Sequence, residues 1–119
     1  MRAGEQDRPT IGVRASPTVS AEHIDQIGYG MEEEGVPWSV TRSGSSDAAV
    51  LAHEAALASR LGVGVGVCSG RIVITTEKLD ADSPYITLDV DPAWTRARDM
   101  GANAARLVKR MPLIGVTNE

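Results

Sequence analysis

An alternation of glycine and valine over residues 62–67 constrains the fold more than any other segment of the chain. Successive side chains of a strand point to opposite faces, so the valines would line one face and the glycines the other. A strand that is apolar or bare on both faces suits a central position in a sheet, where both sides are covered. The segment therefore predicts the middle strand of the domain's sheet.

Caps and apolar spacing along the rest of the chain predict the order β-α-β-α-β-β-(β)-α. This order is typical of an α/β fold, here a single small domain of two or three layers with a mostly parallel sheet flanked by helices. The predicted strands are residues 10–15, 37–41, 63–68, 71–76 and a short one at 85–88. The predicted helices are residues 20–34, ending at Gly35, 47–60, capped by Ser45 or Ser46, and a last one that starts at Asp91-Pro92.

The 119 residues are enough for one domain and too few for two. Residues 1–9 are polar and charged, which predicts a disordered N-terminal lead. Residues 10–114 are predicted to form the α/β domain, and residues 115–119 a C-terminal tail. Gly28 and Gly30 lie inside the first helix, where each costs up to about 1 kcal/mol relative to alanine. We expect them to allow close packing of that helix on the sheet.

Charge and cysteine content exclude several classes of protein. The net charge is −4, and the basic residues are scattered until the last helix, which argues against a nucleic-acid or membrane surface. Cys68 is the only cysteine, so neither an intrachain disulfide nor a cysteine zinc cluster can form. The sequence has no apolar run of membrane-spanning length and no signal-peptide core at its N-terminus. We therefore expect an intracellular, reduced, soluble domain.

The residue types that usually carry catalysis give little support for an enzyme. The glycines of residues 62–66 lie inside a strand and not at a strand-to-helix turn, which disfavours a phosphate-binding loop. His23 and His53 lack the spacing of a zinc site. Cys68 has no candidate base nearby in sequence, and Ser69 lacks the turn that presents a hydrolase nucleophile. We expect no catalysis by this chain alone.

Three consecutive carboxylates, Glu32, Glu33 and Glu34, close the first helix. At about 100° per residue, Glu33 points away from the apolar face that carries Ile24 and Met31. An outward carboxylate on a rigid helix end can meet a metal or a basic group of a partner, although a solvated charge run is the simpler interpretation. Acids at a helix C-terminus oppose the helix dipole and cost a few tenths of a kcal/mol each, which suggests a compensating role.

Four short blocks of sequence occur in an order that spans residues 10–114. They are Gly-Met-Glu-Glu-Glu-Gly-Val-Pro-Trp at 30–38, Ser-Asp-Ala-Ala at 46–49, Leu-Gly-Val-Gly-Val-Gly at 61–66, and Gly-Ala-Asn-Ala-Ala-Arg-Leu-Val-Lys from 101, followed by Pro-Leu at 112–113. Together these blocks resemble the small subunit of diol/glycerol dehydratase-reactivating factors. The resemblance implies a fold similar to the core of the dehydratase medium subunit.

The resemblance also implies a function. Reactivating factors rescue adenosylcobalamin-dependent dehydratases whose cofactor has been damaged. Their large subunit is a chaperone-like ATPase, and the small subunit is exchanged for the dehydratase's medium subunit so that the damaged cobalamin is released. By this resemblance the chain would have no cofactor of its own, would form a two-plus-two assembly with the large subunit, and would work in the cytoplasm or in a bacterial microcompartment.

The family's metal site corresponds to Glu33, which the resemblance implies is a ligand of a divalent metal, magnesium, shared with the large subunit. Glu32 and Glu34 would then belong to the partner interface as electrostatic surroundings or solvated groups. An alternative is a medium-subunit-like component of the dehydratase itself. The turn at residues 68–70 lacks the lysine that such subunits carry after this strand, which favours the reactivating factor. Glycerol and 1,2-propanediol stay open as substrates of the client dehydratase.

Overall fold

The structure, a computed structural model, describes residues 8–115. The predicted N-terminal lead and C-terminal tail therefore lie almost entirely outside the described residues. Among those described, no helix combines the length and apolarity needed to cross a bilayer. The elements are β1 (Ile11–Ala15), α1 (Ala21–Glu33), β2 (Trp38–Arg42), α2 (Ala48–Ala58), β3 (Val63–Cys68), β4 (Arg71–Thr76), β5 (Ile86–Asp89) and α3 (Ala97–Lys109).

One five-stranded sheet has the order β2-β1-β3-β4-β5, which confirms the α/β fold and the central position of β3. β1 pairs in parallel with β2 and with β3, whereas β3–β4 and β4–β5 are antiparallel. The sheet is therefore mixed, with two parallel and two antiparallel pairings, where the sequence predicted a mostly parallel sheet. Its antiparallel half begins at Gly70, whose φ of +87° lets the chain turn back directly from β3 into β4.

The two faces of β3 are covered by different helices, as its composition predicts. Its valines join the main core, in which the sheet packs against residues of α1 and α3. On the other face, a Cβ added to Gly66 would lie 2.0 Å from the carbonyl oxygen of Ala48, and one at Gly64 would lie 2.3 Å from that of Ala52. The helix α2 thus rests directly on the backbone of β3. The domain has three layers, with α1 and α3 on one face and α2 on the other.

Glycines also set the distance between α1 and α3. A Cβ at Gly101 would lie 1.8 Å from the carbonyl oxygen of Ile27, and one at Gly30 would lie 2.0 Å from that of Arg98. Gly30 therefore allows close packing of helix on helix, where we expected helix on sheet. Gly28 does face the sheet, because a Cβ there would collide with the indole ring of Trp38.

The end of α1 is fixed by a hydrogen-bond pattern that glycine permits. Gly35 has a φ of +78°, as expected for a left-handed helix stop. Its amide donates to Glu32 at 3.0 Å, and the amide of Val36 donates to Met31 at 3.1 Å. Val36 and Met31 are both buried in the core. This Schellman motif holds the acidic end of α1 in one geometry.

Two helix starts differ from the prediction. The cap of α2 is Asp47, whose carboxylate accepts from the amide of Ala49 at 3.0 Å, where Ser45 or Ser46 was expected. The last helix begins at Ala97 and not at Asp91-Pro92. Asp91 does accept from the amide of Thr95 at 2.8 Å. Trp94, however, has a φ of +55°, which interrupts the helical path before α3 begins.

Candidate functional site

The three carboxylates at the end of α1 reach three different neighbours. Glu32 accepts a hydrogen bond from the indole nitrogen of Trp38 at 2.9 Å, on the side of β2. Glu33 accepts from the guanidinium of Arg98 at the start of α3. Glu34 turns toward the far end of α3. The acidic run is therefore a set of separate contacts and not one cluster of charge.

Glu34 ties the end of α1 to the end of α3. Its carboxylate accepts from Nε of Arg106 at 3.0 Å and from Nζ of Lys109 at 2.9 Å. Lys109 also donates to the backbone carbonyl of Glu34 at 2.7 Å, so it satisfies an acceptor at the end of the helix. Only 15% of the Glu34 side chain is exposed. Of the two roles expected for Glu34, that of a solvated group is wrong, because two cations of the same chain hold the carboxylate.

These contacts make the stability of the domain sensitive to acid. The hydrogen bonds from Lys109 and then Arg106 lower the pKa of Glu34 below its ordinary value. A carboxyl with a lower pKa in the folded than in the unfolded chain stabilises the fold fully above the unfolded-state pKa. That contribution is lost as the pH falls through the folded-state value.

We therefore expect Glu34→Gln to be less stable than the native chain at about pH 7, with the difference shrinking toward about pH 3. Urea denaturation at several pH values measures this. Asp82→Asn, a change at an exposed carboxylate in the β4–β5 connection, is the control and should show little difference at either pH. If Glu34→Gln lowers the free energy of unfolding by the same amount at about pH 7 and at about pH 3, the lowered pKa of Glu34 does not stabilise the fold.

Glu33 is exposed, as its position on α1 predicts, with 52% of its side chain accessible. The Arg98 guanidinium binds its Oε2 and also lies 5.9 Å from the centre of the Tyr29 ring. The hydrogen bond and the charge of Glu33 raise the pKa of Arg98. Within residues 8–115, Oε1 of Glu33 makes no hydrogen bond or ion pair, so one oxygen of the carboxylate is available to a ligand.

A magnesium ion is chemically compatible with this carboxylate. Mg²⁺ takes hard oxygen ligands, often one or two carboxylates completed by water and other groups. The described part of the chain holds no group of three or more His, Cys, Asp or Glu side chains that could enclose a metal. A cation at Glu33 would therefore need further ligands from a partner and water. It would also compete with Arg98 for the carboxylate.

The cations of α3 were missed in the sequence as partners of the acidic run. At about 100° per residue, Arg98, Arg106 and Lys109 fall within about 80° of one another on α3. This basic face, opposite an acidic helix end, is the signal that could have found them. Arg106 and Lys109 lie in the last turn of α3, where cations are also favoured by the dipole of their own helix. The local cost of acids at the end of α1 is thus partly offset inside the chain, by charges from another helix.

The other polar candidates lie apart from this site. His23 stacks on Trp94, with ring centroids 4.3 Å apart and an interplanar angle of 11°. Ser69 lies within hydrogen-bonding distance of the Thr18 hydroxyl, at 3.1 Å. His53 belongs to α2, on the opposite face of the sheet from His23. The geometry brings none of these side chains to the acidic end of α1.

Comparison with known proteins covers almost the whole domain. The model of the dehydratase medium subunit family matches residues 8–114. The propanediol dehydratase-reactivating factor small subunit of Citrobacter freundii is 39% identical over 83 residues, which are 70% of this chain and 72% of that protein. The diol dehydratase-reactivating factor small subunit of Klebsiella michiganensis is 30% identical over 115 residues, which are 91% and 92% of the two chains.

Solved structures agree with these relatives. A glycerol dehydratase reactivase superposes with a TM-score of 0.81 at 39% identity, covering 88% of this chain and 96% of that one. A diol dehydratase-reactivating factor complexed with ADP and Mg²⁺ superposes with a TM-score of 0.79 at 30% identity, covering 90% and 98%. These relatives are parts of reactivating factors, so the alternative of a dehydratase component is not favoured. The chain belongs to the dehydratase medium subunit family, among the small subunits of dehydratase-reactivating factors.

Proposed function

We propose that this chain acts as the exchangeable subunit of a factor that reactivates an adenosylcobalamin-dependent diol or glycerol dehydratase. In this proposal it binds a large ATPase subunit, leaves that subunit when the dehydratase is engaged, and catalyses no reaction itself. The damaged cobalamin is released while the dehydratase's medium subunit takes the vacated place. The factor would work in the cytoplasm or together with its dehydratase inside a microcompartment.

The observation that carries this proposal is the match of nearly the whole domain to reactivating-factor structures within a family named for the dehydratase medium subunit. Two proteins of one family present surfaces of similar shape, so each can occupy the same place on a third protein. Such an interface has to be replaceable. Polar and ion-bridged contacts suit that requirement better than a large apolar patch.

The acidic end of α1 is the surface that we assign to the large subunit. Glu33 is exposed and keeps one carboxylate oxygen available, so it can share a Mg²⁺ ion with a partner. Glu32 lies beside it, also exposed, and Glu34 fixes the helix end from which both project. Because α1 ends in a Schellman motif, these carboxylates would be presented without ordering a loop on binding.

The test is purification of the chain together with the large subunit of a reactivating factor, in Mg²⁺ and in EDTA. We expect a complex with equal numbers of both subunits in Mg²⁺, a weaker one in EDTA, and ATP hydrolysis by the large subunit but not by the isolated chain. Native mass spectrometry gives the stoichiometry, for which we expect two copies of each subunit. Failure to form a complex in Mg²⁺, or ATP hydrolysis by the isolated chain, would contradict the proposal.

A further inference from the structure

The outermost strand of the sheet, β2, has a free edge of backbone groups. The carbonyl of Pro37 accepts from β1 at 2.9 Å, and the amide of Ser43 donates to β1 at 3.0 Å. Because alternate residues of a strand direct their N–H and C=O groups to opposite sides, Trp38, Val40 and Arg42 direct theirs away from β1. No strand of the described residues lies on that side.

This edge lacks the features with which proteins usually block edge strands. The five residues of β2 pair with β1 in continuous register, without a bulge, and contain neither proline nor lysine. Val40 is 44% exposed. Arg42 is the one charged residue of the strand, and its guanidinium donates to the carbonyls of Ser16 and Val19 at 2.9 and 2.7 Å. It therefore turns back onto its own chain and leaves the edge open.

A row of acidic side chains on α1 lies beside this edge. Gly28 packs against the ring of Trp38, which places that side of α1 next to β2. Asp25 and Glu32 lie three residues before and four residues after Gly28, so they share its side of the helix. Both are exposed, and Asp25 makes no ion pair within residues 8–115. The sequence of α1 contains neither lysine nor arginine. Glu32 accepts from the Trp38 indole and, like Asp25, makes no ion pair within residues 8–115, so these two carboxylates lie beside the edge without a cationic partner.

We propose that the β2 edge takes up an extended segment of the large subunit that carries basic side chains at alternate positions. The outward backbone groups of Trp38, Val40 and Arg42 would add this segment to the sheet as a sixth strand. Its basic side chains, on the face that α1 covers, would meet Asp25 and Glu32. The identity of the partner rests on the proposed function, whereas the chemistry of the segment rests on this edge.

The same charges disfavour a second copy of this chain as the occupant. Two copies paired antiparallel through β2 would form one continuous sheet with both α1 helices on the same face. Asp25 and Glu32 of one copy would then lie near those of the other, and like charges brought together across an interface are unfavourable. The charges beside the edge thus favour a basic segment and disfavour a second copy of this chain.

Val40→Pro tests the backbone part of the proposal. Proline removes the central outward amide, which the sheet itself does not use, and proline is tolerated on an edge strand when its N–H side faces solvent. We expect Val40→Pro to weaken binding of the large subunit by about tenfold or more, because a hydrogen bond is lost and the added strand is obstructed. Val40→Ala keeps the amide and should change the dissociation constant by less than about threefold.

A charge variant tests the acidic row. We expect the double change Asp25→Asn, Glu32→Gln to slow association by about fivefold at low salt and to flatten its salt dependence. The matched control, Asp80→Asn with Asp82→Asn, removes the same charge from the exposed β4–β5 connection and should alter neither quantity. Equal effects of the two double variants would show that association depends only on net charge. That result would overturn the proposal that the edge binds a basic segment.

Residue-resolved amide exchange gives a measurement that needs no variant. The amides of Trp38, Val40 and Arg42 should exchange rapidly in the free chain and at least about tenfold more slowly in the complex. Two results would overturn the inference and leave the proposed function standing. One is a native complex in which these amides stay unprotected. The other is a folded Val40→Pro chain that binds the large subunit with native affinity. Protection that grows with the concentration of this chain alone would identify a second copy and would also overturn the inference. A native chain that does not bind the large subunit would instead remove the proposed function itself.

Discussion

Gly101→Ala is expected to lower the free energy of unfolding by about 2 kcal/mol, the largest effect of any single methyl group that we predict. The new Cβ would lie 1.8 Å from the carbonyl oxygen of Ile27, well inside van der Waals contact. Overpacking of this kind costs about 3 kcal/mol, whereas alanine gains about 1 kcal/mol over glycine inside a helix. The clash prevails because the obstructing atom belongs to the backbone of α1 and cannot rotate away.

Gly44→Ala is the matched control, since a Cβ at Gly44 meets no atom within 4 Å. Urea denaturation of both variants measures the difference, and Gly44→Ala should stay within about 0.5 kcal/mol of the native chain. Because α1 would be displaced from α3, Gly101→Ala should also weaken binding of the large subunit. A Gly101→Ala chain as stable as the Gly44→Ala control would show that α1 and α3 are not in backbone contact.

Glu33→Ala is expected to weaken the complex with the large subunit by about 30-fold in Mg²⁺, while the isolated chain unfolds as before. The expected loss corresponds to about 2 kcal/mol, the lower end of the range for removing one partner of a charge pair that binding buries. In EDTA the native and variant chains should bind alike, because the metal that distinguishes them is gone. Isothermal titration of the large subunit with each chain, in both buffers, measures the four dissociation constants.

Arg98→Gln separates a metal role for Glu33 from its ion pair. If Glu33 binds the metal, removing the competing guanidinium should preserve or tighten Mg²⁺-dependent assembly. If Glu33 acts by positioning Arg98 toward the partner, Arg98→Gln should weaken the complex as much as Glu33→Ala does, and EDTA should make no difference. Native affinity of Glu33→Ala in Mg²⁺ would exclude Glu33 from the interface in either role.

The sequence predicted the parts of the fold that depend on local pattern. The alternating glycines placed β3 at the centre of the sheet, and Gly35 marked the end of α1. The start of α3 could not be found in the same way. Asp91 has the chemistry of a helix cap and does accept from Thr95, but the left-handed backbone at Trp94 delays the helix. The stacking of Trp94 on His23 is a tertiary contact that no local pattern carries.

In the candidate site too, local pattern predicts some features and tertiary packing determines the others. The outward direction of Glu33 follows from helical spacing and was predicted. The binding of Glu34 by Arg106 and Lys109 was not, because it depends on α1 and α3 packing side by side. That packing depends on Gly30 and Gly101. A glycine in a helix indicates close packing, but the sequence does not say whether the neighbour is a sheet or another helix. The identity of the surface that each glycine meets is a property of the tertiary fold.

Competition between this chain and the dehydratase medium subunit tests the account most directly. A fluorescently labelled chain is first bound to the large subunit in Mg²⁺, and the unlabelled medium subunit of the client dehydratase is then added with ATP. We predict that the label is released one for one as the medium subunit takes its place on the large subunit. Retention of the labelled chain at saturating medium subunit, when the same labelled complex reactivates damaged dehydratase in a parallel assay, would contradict the exchange of one subunit for the other.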